Sequence, residues 1–178
     1  MLERGPDRRG LSASALALAV ALLTAPAAAA DPETAAAAHY DPGAQLDWTL
    51  RCGGCHGIRG QGTPGHVPRL AGFVGYFTQH PNGRDYLMRV PGVVRSRLDD
   101  ARLAAVLNWL LANLSPEEVA ADFVPFVPEE VGRAREAPLP EPQATRARLI
   151  AELQSMGVIA QDDDGIGPSP ERRRQIDP

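Results

Sequence analysis

The sequence predicts an all-α fold, small enough for one domain with appendages. Three observations carry this. Leu103, Val106, Leu107, Leu110, Leu111 and Leu114 recur at i, i+3, i+4, i+7, i+8 and i+11, the repeat of one helix face. Tyr40, Leu46, Trp48 and Leu50 form a second apolar segment around Asp41-Pro42, a pair that commonly starts a helix. Between these segments lies GIRGQGTPGHVPRLAG (57–72), whose glycines and prolines make it a loop.

Taken in order, the chain begins with an arginine-bearing decapeptide, the apolar run LSASALALAVALL and the small residues TAPAAAA. This is the layout of a secretory signal peptide, residues 1–30, cleaved after Ala30. The apolar run is shorter than the ~20 residues that span a bilayer, so no transmembrane anchor is expected after cleavage. Residues 31–39 read as a flexible lead-in. A helix is expected over about 42–53, running into the cysteines, and a short one over about 83–89 after the turn at Pro81-Asn82-Gly83. The longest spans 99–114, capped by Asp99 or Asp100 and ended by Ser115-Pro116.

Beyond 115 the composition shifts to proline and glutamate, with isolated apolar anchors at Phe123, Phe126 and Val127. We therefore expect a compact domain over 40–115 and an extension over 116–178. The extension should carry a short amphipathic helix near 143–154 (Leu149, Ile150, Leu153) and a disordered end. The run DDDG (162–165) lacks the alternating ligands and closing glutamate of a calcium loop and reads as a solvated acidic stretch. The formal net charge is −4 at pH 7. No basic patch is interleaved with aromatics, so nucleic acid is not an expected partner.

RCGGCHG (51–57) holds both cysteines of the chain. After export they would meet an oxidising compartment, where a disulfide across so small a loop contributes little to stability. A structural zinc site needs four protein ligands; His39, His66 and His80 show no regular spacing that would complete one. A redox dithiol is expected beside a βαβ pattern, whereas this motif lies between helices. The remaining reading uses every residue, since Cys-x-x-Cys-His is the attachment signature of c-type haem. Cys52 and Cys55 would each add to one vinyl group, and His56 would be delivered to the iron as axial ligand. Gly53 and Gly54 put no side chain between the haem edge and the backbone.

With CGGCHG, the later PRLAG (68–72) and the helix LDDARLAAVLNWLLANL, residues 40–114 resemble the class I c-type cytochromes. The resemblance implies that small fold around one covalently attached haem c, here with a proline-rich C-terminal extension. It implies that the Pro68 carbonyl accepts a hydrogen bond from His56 Nδ1, leaving Nε2 for iron. Leu70 would then line the haem pocket, joined by Phe73, Tyr76, Phe77, Leu87, Trp109 and Leu110. The family takes its second axial ligand from a methionine before the last helix, often followed by proline. The comparable dipeptide here is Val90-Pro91, so Met88, two residues earlier, is expected as the second metal ligand; His80, Met156 or an open position are the alternatives.

The implied function is that of a periplasmic monohaem protein, an electron carrier rather than an enzyme, moving single electrons from a donor such as a dehydrogenase to an acceptor protein. The alternatives are a haem-based sensor or enzyme with an open distal side, and a haem subunit of a larger oxidoreductase. The signal reading makes one direct prediction. Intact-mass analysis of exported protein should place the amino terminus at or close to Asp31; a mature chain that retains residues 1–30 would overturn it.

Overall fold

The computed structural model describes residues 41–168 together with Met1. The remainder of the expected signal peptide, the lead-in and residues 169–178 lie outside the described residues. Among those described there is no strand, only an isolated antiparallel bridge between Thr63 and Val67. None of the described helices is long and apolar enough to cross a membrane.

Helix α1, Pro42–Arg51, starts where Asp41 accepts a hydrogen bond from the Ala44 N–H at 2.9 Å. A single further turn, α2 (Gly53–His56), carries the cysteine motif. After the loop comes a 3-10 helix, Val74–Gln79, then α3, Gly83–Arg89, and the short α4, Pro91–Val94. The 3-10 helix lies hard against the start of α3. A Cβ built on Gly83 would stand 1.7 Å from the Phe77 carbonyl oxygen, so no larger residue fits this crossing.

Helix α5, Asp100–Leu114, is capped by Asp99, whose carboxylate accepts from the Arg102 N–H at 2.8 Å. Its apolar stripe packs across α1, where Trp48 lies 6.2 Å from Trp109, ring to ring. Asp47, 4% exposed, joins the same crossing by accepting from Arg102 Nε at 2.9 Å and from its Nη2.

The stripe expected on α5 is buried, but Ala104 and Trp109, which lie outside it, are buried too. A helix buried on more than one side needs a second cover, and here the C-terminal segment supplies it. Helix α6, Pro128–Arg135, packs along α5, and α7, Pro142–Ser155, packs on α3 and the 3-10 helix. Phe126, Val131, Ala134, Leu149, Ile150, Leu153 and Ile159 join Trp48, Leu103 and Leu111 in one continuous core.

The boundary expected at 115/116 therefore does not separate two packing units. Composition suggested an appendage because the apolar anchors are isolated among prolines and glutamates. Phe126 is nevertheless part of the same core and Phe123 packs against it, while Val127 stays exposed. Polar clamps hold the segment in register. The Asn108 side chain both donates to the Phe126 carbonyl (3.0 Å) and accepts from the Phe126 N–H (2.8 Å). Arg84 pairs with Glu130, and Arg135 reaches Asp100 at 2.6 Å and the Ser96 carbonyl at 2.7 Å.

The acidic run also differs from expectation. Asp163 is only 6% exposed and pairs with Arg69, itself 7% exposed; one guanidinium nitrogen, Nη2, donates to both carboxylate oxygens at 2.8 and 2.7 Å. Asp163 is a buried anchor, not part of a solvated stretch.

The core assignment is testable at Leu149, which is fully buried on α7. Leu149→Ala should cost about 2–5 kcal/mol of unfolding free energy in a urea titration, as expected of a core leucine. A change near zero would mean that residues 116–168 are an appendage after all.

Candidate functional site

The turn α2 follows α1 with almost no break. The Cys52 N–H donates to the Trp48 carbonyl, and the Cys52 carbonyl in turn accepts from His56 N–H at 3.0 Å. The motif is thereby held on the end of a packed helix. Both cysteines are free thiols, Cys52 half-buried and Cys55 exposed. Burial, then the nearby Asp47 and Cys55, pushes the Cys52 thiol above its usual pKa, which keeps it protonated.

His56 Nδ1 lies 3.1 Å from the Pro68 carbonyl oxygen. Burial pushes the imidazole below its ordinary pKa, outweighing the upward pull of that hydrogen bond. A neutral ring that donates from Nδ1 to a carbonyl keeps the Nε2 lone pair free, the tautomer that a metal ligand requires. Trp48 stands behind the ring, 6.2 Å between centroids, and is itself fixed by an Nε1–H bond to the Ile58 carbonyl at 2.8 Å.

The loop that brings Pro68 to His56 is shaped by glycine. Gly62, at φ +67°, donates its N–H to the His56 carbonyl at 2.7 Å, and a Cβ there would lie 2.5 Å from the Val67 carbonyl oxygen. The Leu70 N–H donates to Gly60 and the Gly72 N–H to Leu114 at the end of α5, each at 2.7 Å. Arg69 also turns the loop toward the C-terminal segment, donating its backbone N–H to the Gly165 carbonyl at 2.7 Å.

These elements line a cavity of about 730 Å³. Cys52, Cys55, His56, Pro68 and Leu70 all line it, and so do Phe73, Phe77, Leu87 and Leu110. Tyr76 and Trp109 do not; Trp109 stands behind the wall, against Trp48. The α5 face from Leu103 to Leu111 supplies one wall. Tyr86, Arg146 and Ile166 supply parts of others that no motif in the sequence announces.

The expected second metal ligand, Met88, does not reach the cavity. It is 6% exposed and absent from the cavity wall. On α3 the cavity side is occupied by Tyr86 and Leu87. At about 100° per residue, Met88 is turned roughly 150° from their mean direction, onto the face it shares with Arg84. That face meets Glu130 and the carbonyls of Val124 and Pro125.

The alternatives fare no better. His80 Nδ1 accepts from the Asn82 N–H at 3.1 Å, and its Nε2 lies 2.8 Å from Glu152, so both ring nitrogens are engaged. Met156, just past the end of α7, is 54% exposed.

The cavity suits a flat apolar macrocycle that carries two carboxylates. Its depth is lined by aliphatic and aromatic side chains, while Arg51, Arg95 and Arg97 stand exposed on its lining. None of these three arginines has an ion-pair partner among the described residues. They can meet a pair of propionates, and the two thiols and one imidazole on α2 can meet vinyl groups and iron.

No family model matches the chain, and no solved structure matches it. A cytochrome c-552 of Thermus thermophilus is 32% identical over 126 residues, covering 61% of this chain and 92% of that protein. A second cytochrome c-552, from a particular strain of the same species, is likewise 32% identical over 126 residues, covering 82% of its length. A match covering 61% of the chain is longer than residues 40–115, so it reaches beyond the segment that holds the motifs.

The geometry around His56 depends on Gly62. Gly62→Ala should lose more than about 1 kcal/mol of stability, because alanine is strained at this φ and its Cβ meets backbone that cannot yield. Denaturant titration against Gly65→Ala, where no atom lies within 4 Å of the added Cβ, checks this. Equal losses at both positions would show that the close approach is not the cause.

Proposed function

Because the chain belongs to the c-type cytochromes, a family of covalent haem proteins, we propose that it is an exported carrier with one haem, passing single electrons from a redox protein, a dehydrogenase in the first instance, to an acceptor protein. The observation that carries this reading is the CGGCH turn on the wall of a largely apolar cavity, with its histidine already oriented by Pro68. The haem iron supplies the one-electron chemistry. The chain's own residues hold, orient and insulate it.

Each thiol would add across one vinyl double bond, its sulfur bonding to carbon and its proton going to the neighbouring carbon, with no net change of oxidation state. Cys52 and Cys55 are the two groups available for this. His56 Nε2 would face the iron while Nδ1–H stays on Pro68, and that bond raises the basicity of the ligand. The aliphatic wall from α5 keeps water from one face of the macrocycle. Cys55, exposed at the surface, marks the edge through which an electron would pass to a partner.

The signal-like residues 1–30 support export, and the periplasm is the compartment that fits both them and the attachment chemistry. The surface offers partners arginine as its cation, since the chain contains no lysine. Its net negative charge would favour a basic partner.

The reading is tested on the mature protein from an exporting host. Haem should stay with the polypeptide through acidic organic extraction, and the mass should exceed that of the chain by one haem. Cys52→Ser and Cys55→Ser should each leave a single thioether, and a potentiometric titration should show one one-electron wave. Haem released into the solvent, or two waves, would overturn the proposal.

A further inference from the structure

We propose that the iron face opposite His56 receives no side chain from among the described residues and is open to a small exogenous ligand, with the Tyr86 hydroxyl as the hydrogen-bonding group beside it. This rests on the haem reading above but not on electron carriage.

Few side chains on the cavity wall could bind iron strongly. Cys52 and Cys55 are committed to the porphyrin and His56 to the first axial position. His66 also touches the cavity, but it is exposed and stands two residues before Pro68, on the loop that braces His56. Lysine is missing from the chain altogether. Met88 faces the Glu130 side of α3, His80 has both nitrogens engaged, and Met156 is exposed to solvent. Among the described residues no carboxylate lines the cavity.

What the wall does offer is Tyr86. It is 7% exposed, its ring packs on Phe77 at 4.9 Å, and among the described residues its hydroxyl has no hydrogen-bond partner. The hydroxyl is not sealed in, since it is not among the buried side-chain polar atoms that lack a partner, so it can meet a molecule that enters the cavity. Burial also holds the group as a neutral phenol, which can donate but is a poor metal ligand. Tyr86 sits on α3, which packs on α7, whereas His56 sits on α2 beside α1, and residues of both pairs line the cavity. Arg146 on α7 lies on the same wall, and its guanidinium donates to the Asp164 carbonyl at 2.8 Å and rests 5.5 Å over Phe73. A neutral donor backed by a cation suits an anionic or polar diatomic ligand.

The test uses full-length mature holoprotein, with haem content and mass checked on every sample. Carbon monoxide should bind the ferrous form readily, and the ferric form should be high-spin by optical and magnetic resonance spectra and should take up azide. Met88→Leu, His80→Gln and His66→Ala should leave these spectra unchanged. Tyr86→Phe should keep the covalent haem yet release azide roughly tenfold faster, the loss expected for one hydrogen bond to an anion.

A low-spin wild type that resists carbon monoxide would overturn the proposal, as would a sulfur-to-iron charge-transfer band that Met88→Leu removes. An open site whose azide release is indifferent to Tyr86→Phe would overturn the role of the hydroxyl. Protein that carries no covalent haem fails at the earlier step and takes both readings with it.

Discussion

The hydrogen bond between His56 Nδ1 and the Pro68 carbonyl organises the rest of the site. It joins a helical turn to a loop that would otherwise have little reason to be ordered. Its cost is conformational, because a carbonyl can reach the ring only if the intervening residues double back tightly. Gly62 provides that turn, and the carbonyl of His56 itself accepts the Gly62 N–H. Ring and loop thus fix one another. The next residue along, Arg69, carries the same constraint outward. Its side chain donates to the carbonyls of Ala71 and Gly72 and pairs with Asp163, 94 residues away.

That pair is a constraint more than a source of stability. Two charges taken out of water lose several kcal/mol of solvation each, and their mutual attraction only roughly restores it. Here the carboxylate is well served, also accepting from the Gly165 N–H at 3.0 Å, while Arg69 Nε stays buried without a partner. What the arrangement secures is placement. A free Arg69 or a free Asp163 would be far worse than the pair, so the C-terminal segment must close at one position over the loop. Ser115 repeats the device at the end of α5, where its buried hydroxyl accepts from Gly75 N–H and donates to Glu118.

Much of this was legible in the sequence. The Cys-x-x-Cys-His turn, the Pro68 contact and the long helix each rest on local signals: a spacing, a short motif, a 3.6-residue repeat with a cap and a proline stop. The helices at 83–89 and near 143–154 were legible for the same reason. What failed was long-range. Phe123 and Phe126 look isolated because each meets its partners across the fold, not along the chain. Asp163 reads as a surface acid until Arg69 is seen beside it. Met88 shows a different limit. A helix of seven residues carries too few turns for periodicity to say which face is inward: the expected Leu87 lines the cavity beside Tyr86, and Met88 lies on the other face.

The wall of the cavity has a further meaning for how the protein is made. Cys52, Cys55 and His56 belong to its first described third, whereas Pro142, Gln143, Arg146, Ala147 and Ile166, which close the other side, come roughly ninety residues or more later. A polypeptide emerges amino end first, so the thiols are presented while the residues that will roof them are still unfolded or not yet delivered. A large planar guest therefore meets a wider opening during synthesis than the finished protein offers. Once α7 docks and Asp163 finds Arg69, that opening narrows to the side where Cys55 stays exposed. Maturation acquires a direction in time, written into the order of the chain, and a protein that folds its tail too early would leave its guest only the narrower way in.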